Sequence, residues 1–217
     1  MVIEVRDISK SFRVEKETFT ALDRVSCEFR SGMIYGLVGR NGSGKTMLLK
    51  SILGLVKIDS GKILFDGKEL ERPESVGAII ETPGFLPEYT GFKNLKLLSM
   101  LTGKASDEEI RKAIRKCGLD PESRKKVSAY SMGMRQRLGL AQAIMEDPEL
   151  LLLDEPFSGL DEKGLQEMYD LCDEMRSQGK LIIIASHSKE DIEKLCDIVL
   201  HMQSGKLYAN NEYLNKD

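Results

Sequence analysis

The chain has 217 residues, 41% hydrophobic and 31% charged, the balance of an ordinary globular protein with one sizeable core. A net charge of −3 and a pI near 5.6 leave no basic field for nucleic acid, whose binding rests on clustered Lys and Arg. Four widely spaced cysteines, Cys27, Cys117, Cys172 and Cys196, form no C-x-x-C pair for zinc or redox chemistry and read as reduced, packed thiols of a cytosolic protein.

The amino-terminal MVIEVRDISK carries charges where a signal peptide needs an apolar stretch. No segment approaches the roughly 18 consecutive apolar residues of a membrane span, so work at a membrane would require another chain to cross it. VIEV (2–5) predicts a first strand, and Phe12 follows in KSF. MIYGLV (33–38) predicts a second, which runs into GRNGSGKT (39–46) and then the helical stretch MLLKSILGL (47–55). G-x-x-x-x-G-K-[ST] between a strand and a helix is a phosphate-binding loop. Gly39, Gly42 and Gly44 let N–H groups turn inward around phosphate oxygens, and the positive end of the next helix helps hold the anion. Lys45 reaches the β- and γ-phosphates and the Thr46 hydroxyl ligates Mg²⁺. Arg40, Asn41 and Ser43 complete the loop; the charge of Arg40 is not required and reads as solvent-facing.

ILF (63–65) runs into Asp66-Gly67, a hairpin signal that predicts a small antiparallel piece. VGAII (76–80) predicts another strand, ending on Glu81 where Thr82-Pro83-Gly84 turns the chain away. From about residue 85 to 148 strand signals vanish. Ser106 and Glu109 make a capping box, Ile110, Ala113, Ile114 and Cys117 share one face, and Gly118 is a stop. This stretch reads as a helical lobe inserted into an α/β lobe. LLLL (150–153) ends on Asp154 and Glu155, adjacent acids at the edge of a core that a cation or a reaction must use. Asp154 is placed to orient Mg²⁺ through its water shell, and Glu155 to polarise the water that attacks a γ-phosphate. Leu165, Met168, Cys172 and Met175 repeat at helical spacing as far as Gly179, just before the strand LIIIA (181–185). Continuous rather than alternating apolar runs predict a largely parallel sheet covered on both faces, hence an α/β fold.

This order of motifs resembles the ATP-binding subunits of ABC transporters over essentially the whole chain. The discriminating stretch is YSMGMRQRL (130–138), similar to the family signature that opens LSGGQ and carries an Arg soon after: Ser131, Gly133 and Arg137 match, while Tyr130, Met132 and Met134 depart. SGLD (158–161), ending on Asp161, resembles the loop that crosses the dimer interface, and IIIASH (182–187) puts His187 at the switch histidine. Phe12 resembles the aromatic on which adenine stacks, a role for which Phe19 competes. Phe12 as a core aromatic and His187 as a structural histidine are the plainer alternatives, and the side chains of Met132 and Met134 read as packing. At Glu81 the family normally has a Gln that touches Mg²⁺ or the attacking water. Glu81 followed by TPGF, with the S-x-G-M signature, resembles the subclass exporting or expelling bacitracin- and lantibiotic-type antimicrobial peptides. A carboxylate there still ligates Mg²⁺ but adds negative charge near Glu155 and the γ-phosphate, so stronger dependence on Mg²⁺ is expected.

The resemblance implies a P-loop NTPase (RecA-like) α/β core with a small antiparallel β piece and an inserted helical subdomain. It implies a single ABC ATP-binding domain over 1–217, with core about 1–84 and 148–217 and insertion about 85–147. It also implies ATP and Mg²⁺ as cofactors, and a dimer, homo- or heteromeric, in which Ser131 and the Gly133 backbone meet the γ-phosphate held by the other subunit's loop. An integral-membrane partner, no nucleic acid, and a cytoplasmic position on the inner face of the membrane complete the expectation. A soluble ABC-type clamp on nucleic acid or ribosomes is the alternative, opposed by the acidic balance and the lack of a long coiled-coil insertion. A regulatory module without catalysis is opposed by Glu155 and His187. His201 is assigned no role.

Overall fold

A computed structural model describes residues 1–14 and 17–209, and each of the six apolar runs falls on a strand, except for Met33 and Ile80 at the ends of theirs. β1 (Val2–Val14), β2 (Glu17–Arg30), β4 (Ser60–Phe65) and β5 (Lys68–Glu69) form an antiparallel sheet ordered β2-β1-β4-β5. A six-stranded sheet contains β3 (Ile34–Val38), β6 (Val76–Ile79), β7 (Leu150–Asp154), β8 (Leu181–Ser186), β9 (Ile198–Gln203) and β10 (Lys206–Ala209), ordered β10-β9-β3-β8-β7-β6. Its neighbours are parallel except for the β9–β10 pair. The helices are α1 (Lys45–Ile52), α2 (Gly91–Thr102), α3 (Asp107–Lys116), α4 (Met132–Ile144), α5 (Glu162–Ser177) and α6 (Lys189–Leu195). Of these, α2, α3 and α4 lie between β6 and β7 in the chain.

β3, β7 and β8 are buried along their whole length, because both faces of the parallel sheet are covered. Ile34, Val38, Leu151, Leu153, Ile182 and Ile184 pack with the α3, α4, α5 and α6 side. Tyr35, Leu37, Leu150, Leu152, Leu181 and Ile183 pack toward α1 and the antiparallel sheet. Each fully buried aliphatic side chain contributes about 1.5–3 kcal/mol, so alternation has no polar face to follow. At Gly77, on β6, a Cβ would come to 1.8 Å from the Ala143 carbonyl oxygen, so α4 lies directly on that strand.

Local signals fold as their chemistry dictates. The Ser106 hydroxyl accepts from the Glu109 N–H at 3.3 Å, and the Glu109 carboxylate accepts from the Ser106 N–H at 2.7 Å. Asp66 and Gly67 both have positive φ (49° and 76°), as a two-residue turn between β4 and β5 requires. The structure adds strands beyond these runs: β1 continues to Val14, and β2, β9 and β10 are present. Their strand signal is weak for a physical reason. Only Ala21, Leu22, Val25 and Phe29 of β2 are buried, and β1 carries register shifts around Asp7, whose φ is +49°. Among the described residues, no helix is long and apolar enough to cross a membrane.

Candidate functional site

β3, β8, β7 and β6 are successive parallel neighbours, so their carboxyl ends form one edge, the usual ligand site of an open α/β sheet. The phosphate loop follows β3, Ser186 ends β8 with His187 directly after it, Asp154 ends β7 with Glu155 directly after it, and Glu81 follows β6. The loop is pinned from outside. At Gly44 (φ +113°) a Cβ would come to 2.6 Å from the Ala21 carbonyl oxygen, and at Gly39 to 2.3 Å from that of Met202. The Ser43 carbonyl accepts from the Gly205 N–H at 2.9 Å.

Inside this cradle Lys45 is buried, its Nζ donating to the Gly39 carbonyl at 2.6 Å. The Ser43 hydroxyl is buried with no hydrogen-bond partner. A buried polar group of that kind calls for a ligand, and a phosphate oxygen beside Lys45 and the first turn of α1 fits it. Arg40 and Asn41 are exposed.

Thr46 Oγ1 donates to Asp154 Oδ2 at 2.7 Å, joining the start of α1 to the end of β7. Burial pushes the Asp154 carboxyl above its ordinary value; the Thr46 hydroxyl, the Glu81 N–H and Lys45 act against that, and the Glu155 charge adds to it. A hydroxyl and a carboxylate at this spacing suit Mg²⁺, which takes one or two protein oxygens and keeps several waters. Among the described residues no cluster of three His, Cys, Asp or Glu could hold a metal by protein ligands alone.

Glu155 has φ +48°, an uncommon conformation for a residue with a side chain. Its N–H donates to the Ala185 carbonyl at 2.8 Å, and its own carbonyl accepts from Gln136 Nε2 at 3.1 Å. Its Oε1 accepts from the His187 N–H at 2.9 Å, with His187 Nδ1 also at 2.9 Å, and its Oε2 accepts from Ser186 Oγ at 3.2 Å. The fold thus brings Glu155 and His187 into contact. Gln136 and Ser186 escaped the sequence reading, although one lies in the signature stretch and the other precedes His187.

Glu81 also has positive φ (+59°), and its Oε1 accepts from Lys50 Nζ at 2.6 Å. With Asp154, Glu155, Met132, Arg135 and Gln136 it lines a cleft of about 270 Å³. Ser131, Gly133 and Asp161 line a different one, of about 570 Å³. Ser131 caps α4, its hydroxyl accepting from the Met134 N–H at 3.2 Å, and a Cβ on Gly133 would meet the Gly159 carbonyl oxygen at 2.6 Å. Asp161 caps α5, accepting from the Gly164 N–H at 2.9 Å. Arg137 donates to the Cys117 carbonyl at 2.9 Å and pairs with Glu167 at 2.7 Å. Phe12 and Phe19 are exposed partners across β1 and β2, with Lys10 Nζ 5.2 Å from the Phe12 ring centroid. Phe19 lies two residues before Ala21, which touches the phosphate loop at Gly44. His201 is buried on β9, opposite Tyr208.

The ABC transporter family matches residues 22–158. The chain belongs to the ATP-binding subunits of ABC transporters. Over 99% of both chains, this ABC subunit is 46% identical to the uncharacterized ABC transporter ATP-binding protein YybJ of Bacillus subtilis (strain 168). It is 40% identical to the bacitracin transport ATP-binding protein BcrA of Enterococcus faecalis, over 95% of this chain and 68% of BcrA. It is 34% identical to the lantibiotic transport ATP-binding protein SrtF of Streptococcus pyogenes, over 98% of this chain and 91% of SrtF. The bacterial ABC transporter cassette MJ0796 shares its fold, with a TM-score of 0.86 at 19% identity over 94% of this chain and 96% of that one. The ABC subunit is accordingly an ATPase with a P-loop NTPase fold.

Proposed function

We propose that the chain works as a dimer, turning over Mg-ATP at composite sites to drive an integral-membrane partner that exports an antimicrobial peptide or drug. The observation that carries the catalytic part is the Glu155 carboxylate, held at both oxygens by Ser186 and His187 directly after Asp154. In this reading Lys45, Ser43 and the loop N–H groups of Gly39, Gly42 and Gly44 hold the phosphates, and Thr46 and Asp154 hold Mg²⁺. When bound, the ion neutralises phosphate charge. Glu155 accepts a proton from the attacking water, and His187 keeps that carboxylate aimed while facing the γ-phosphate. One of the paired aromatics, Phe12 or Phe19, stacks on adenine.

Dimerisation is supported by the separation of the two clefts. Ser131 and Gly133 sit at the start of α4, where free N–H groups suit a phosphate, yet they line a different cleft from Asp154 and Glu155. A second subunit, identical or homologous, supplies the phosphate they meet, and Asp161 follows in the loop between them. MJ0796 is described as a dimer. The cargo class is supported by the names of BcrA and SrtF and by Glu81 with its TPGF continuation. In this reading the subunit works from the cytoplasmic face through its membrane partner, as membership of the ABC transporter family supports. The test is affinity purification of tagged Glu155→Gln protein with Mg-ATP from detergent-solubilised cells. A stoichiometric multi-span membrane protein is expected; ribosomal or DNA-bound partners without one would replace the exporter by a soluble clamp.

A further inference from the structure

The side chain of Glu81 is engaged by Lys50, and the placement of Lys50 is specific. It lies four residues after Thr46, one turn along the same face of α1. Thr46 bonds Asp154 at 2.7 Å. β6 and β7 are parallel neighbours with Ile79 opposite Leu153, so Asp154 and Glu81 leave adjoining strand ends. The Glu81 carboxylate then returns to Lys50 at 2.6 Å. Four residues on three elements close a ring around the place where a metal and phosphates fit.

We propose that Lys50 is a positioning residue of the nucleotide site, which balances the charge of Glu81 and holds its carboxylate so that Mg-ATP can bind beside it. The proposal rests on the reading that Thr46 and Asp154 hold Mg²⁺ and the phosphates. Fold stability does not account for the pair: Glu81 is two-thirds exposed, and exposed ion pairs contribute little. Local charge does account for it. An unbalanced carboxylate at the end of β6 would repel a polyphosphate and compete with it for the metal, whereas one bound by Lys50 presents a neutral pair. A neutral side chain at position 81 would need no such partner, so the role of Lys50 follows from residue 81 being acidic.

The experiment is equilibrium binding of N-methylanthraniloyl-ATP with excess Mg²⁺ to the purified full chain and its variants. Lys50→Met is expected to raise Kd about tenfold, the effect of one unbalanced charge near the phosphates. Lys50→Arg keeps the charge and should stay within about twofold of the native value. On a Glu81→Gln background, Lys50→Met should change Kd by less than about twofold, so the two residues are non-additive. Native affinity for Lys50→Met would overturn the proposal. So would an equal loss on the Glu81→Gln background, which would mean that Lys50 acts on the phosphate by itself. Thr46→Ala separates the layers: if it leaves the Mg²⁺ dependence of binding intact, the metal-site reading fails and takes the proposal with it. If Thr46→Ala removes that dependence while Lys50→Met binds normally, only the role of Lys50 falls.

Discussion

Gln136→Leu isolates what α4 does for the carboxylate proposed as the base, Glu155. Gln136 is buried in α4 and its Nε2 donates to the Glu155 carbonyl at 3.1 Å. Leucine nearly fills the same space, so no large cavity opens, but the carbonyl loses its side-chain donor. The Ser158 N–H still donates to that carbonyl at 3.3 Å, so the net worth of one hydrogen bond, about 0.5–1.5 kcal/mol, is expected to be lost in urea unfolding. The larger effect falls on turnover. Glu155 sits at φ +48°, a conformation held by its N–H on the Ala185 carbonyl and by the Ser158 N–H and Gln136 Nε2 on its own carbonyl, of which the substitution removes the last. Relaxation of that backbone moves the carboxylate away from Ser186 and His187, and a displacement of about 1 Å at a reacting group lowers rate by about 100-fold. Gln136 makes no hydrogen bond to the phosphate loop, so Kd for ATP should stay within about twofold while kcat falls about 10- to 100-fold. A variant that loses stability yet keeps native kcat would show that Gln136 only packs, and the positioning argument would be wrong.

Two further outcomes concern the fold. Gly77→Ala places a Cβ 1.8 Å from the Ala143 carbonyl oxygen, backbone against backbone. Since α4 must move off β6, a loss above about 3 kcal/mol or failure to fold is expected; a native melting temperature would disprove the close approach. Burial pushes the Cys172 thiol from 9.0 up to about 12, and raises the equally buried Cys117 as well. A raised thiol pKa favours the neutral folded form, so this contribution is fully present below about pH 9 and is lost as pH rises toward 12. Iodoacetamide at pH 8 should therefore label the folded chain far more slowly than the urea-unfolded chain. Equal rates would show that the thiols are accessible and unperturbed.

Much of the site was legible because its chemistry is local in sequence. GRNGSGKT needs only its own glycines and its place between β3 and α1, and LLLLDEP announces two acids by the apolar run before them. The buried strands were equally plain, since a sheet covered on both faces leaves continuous Leu and Ile. What stayed hidden depends on residues far apart in the chain. Lys50 meets Glu81 across 31 positions, Gln136 meets Glu155 across 19, and Ser186 meets Glu155 across 31; no spacing rule links such pairs. β2 was hidden for another reason. Most of its side chains face solvent, so its apolar residues are too sparse to mark a strand. Glu81 shows the limit most clearly: sequence order put it at the strand end, but only the fold reveals that its carboxylate is taken by a lysine.

The central claim is that Glu155 performs hydrolysis within a site completed by a second subunit. The most direct measurement is single-turnover hydrolysis and light-scattering mass of purified Glu155→Gln with Mg-ATP, beside the native chain. The variant should bind ATP, lose about 100-fold or more in rate, and accumulate as a dimer that the native chain forms only transiently. Native-like turnover by Glu155→Gln, or a mass that stays monomeric with ATP bound, would contradict the account.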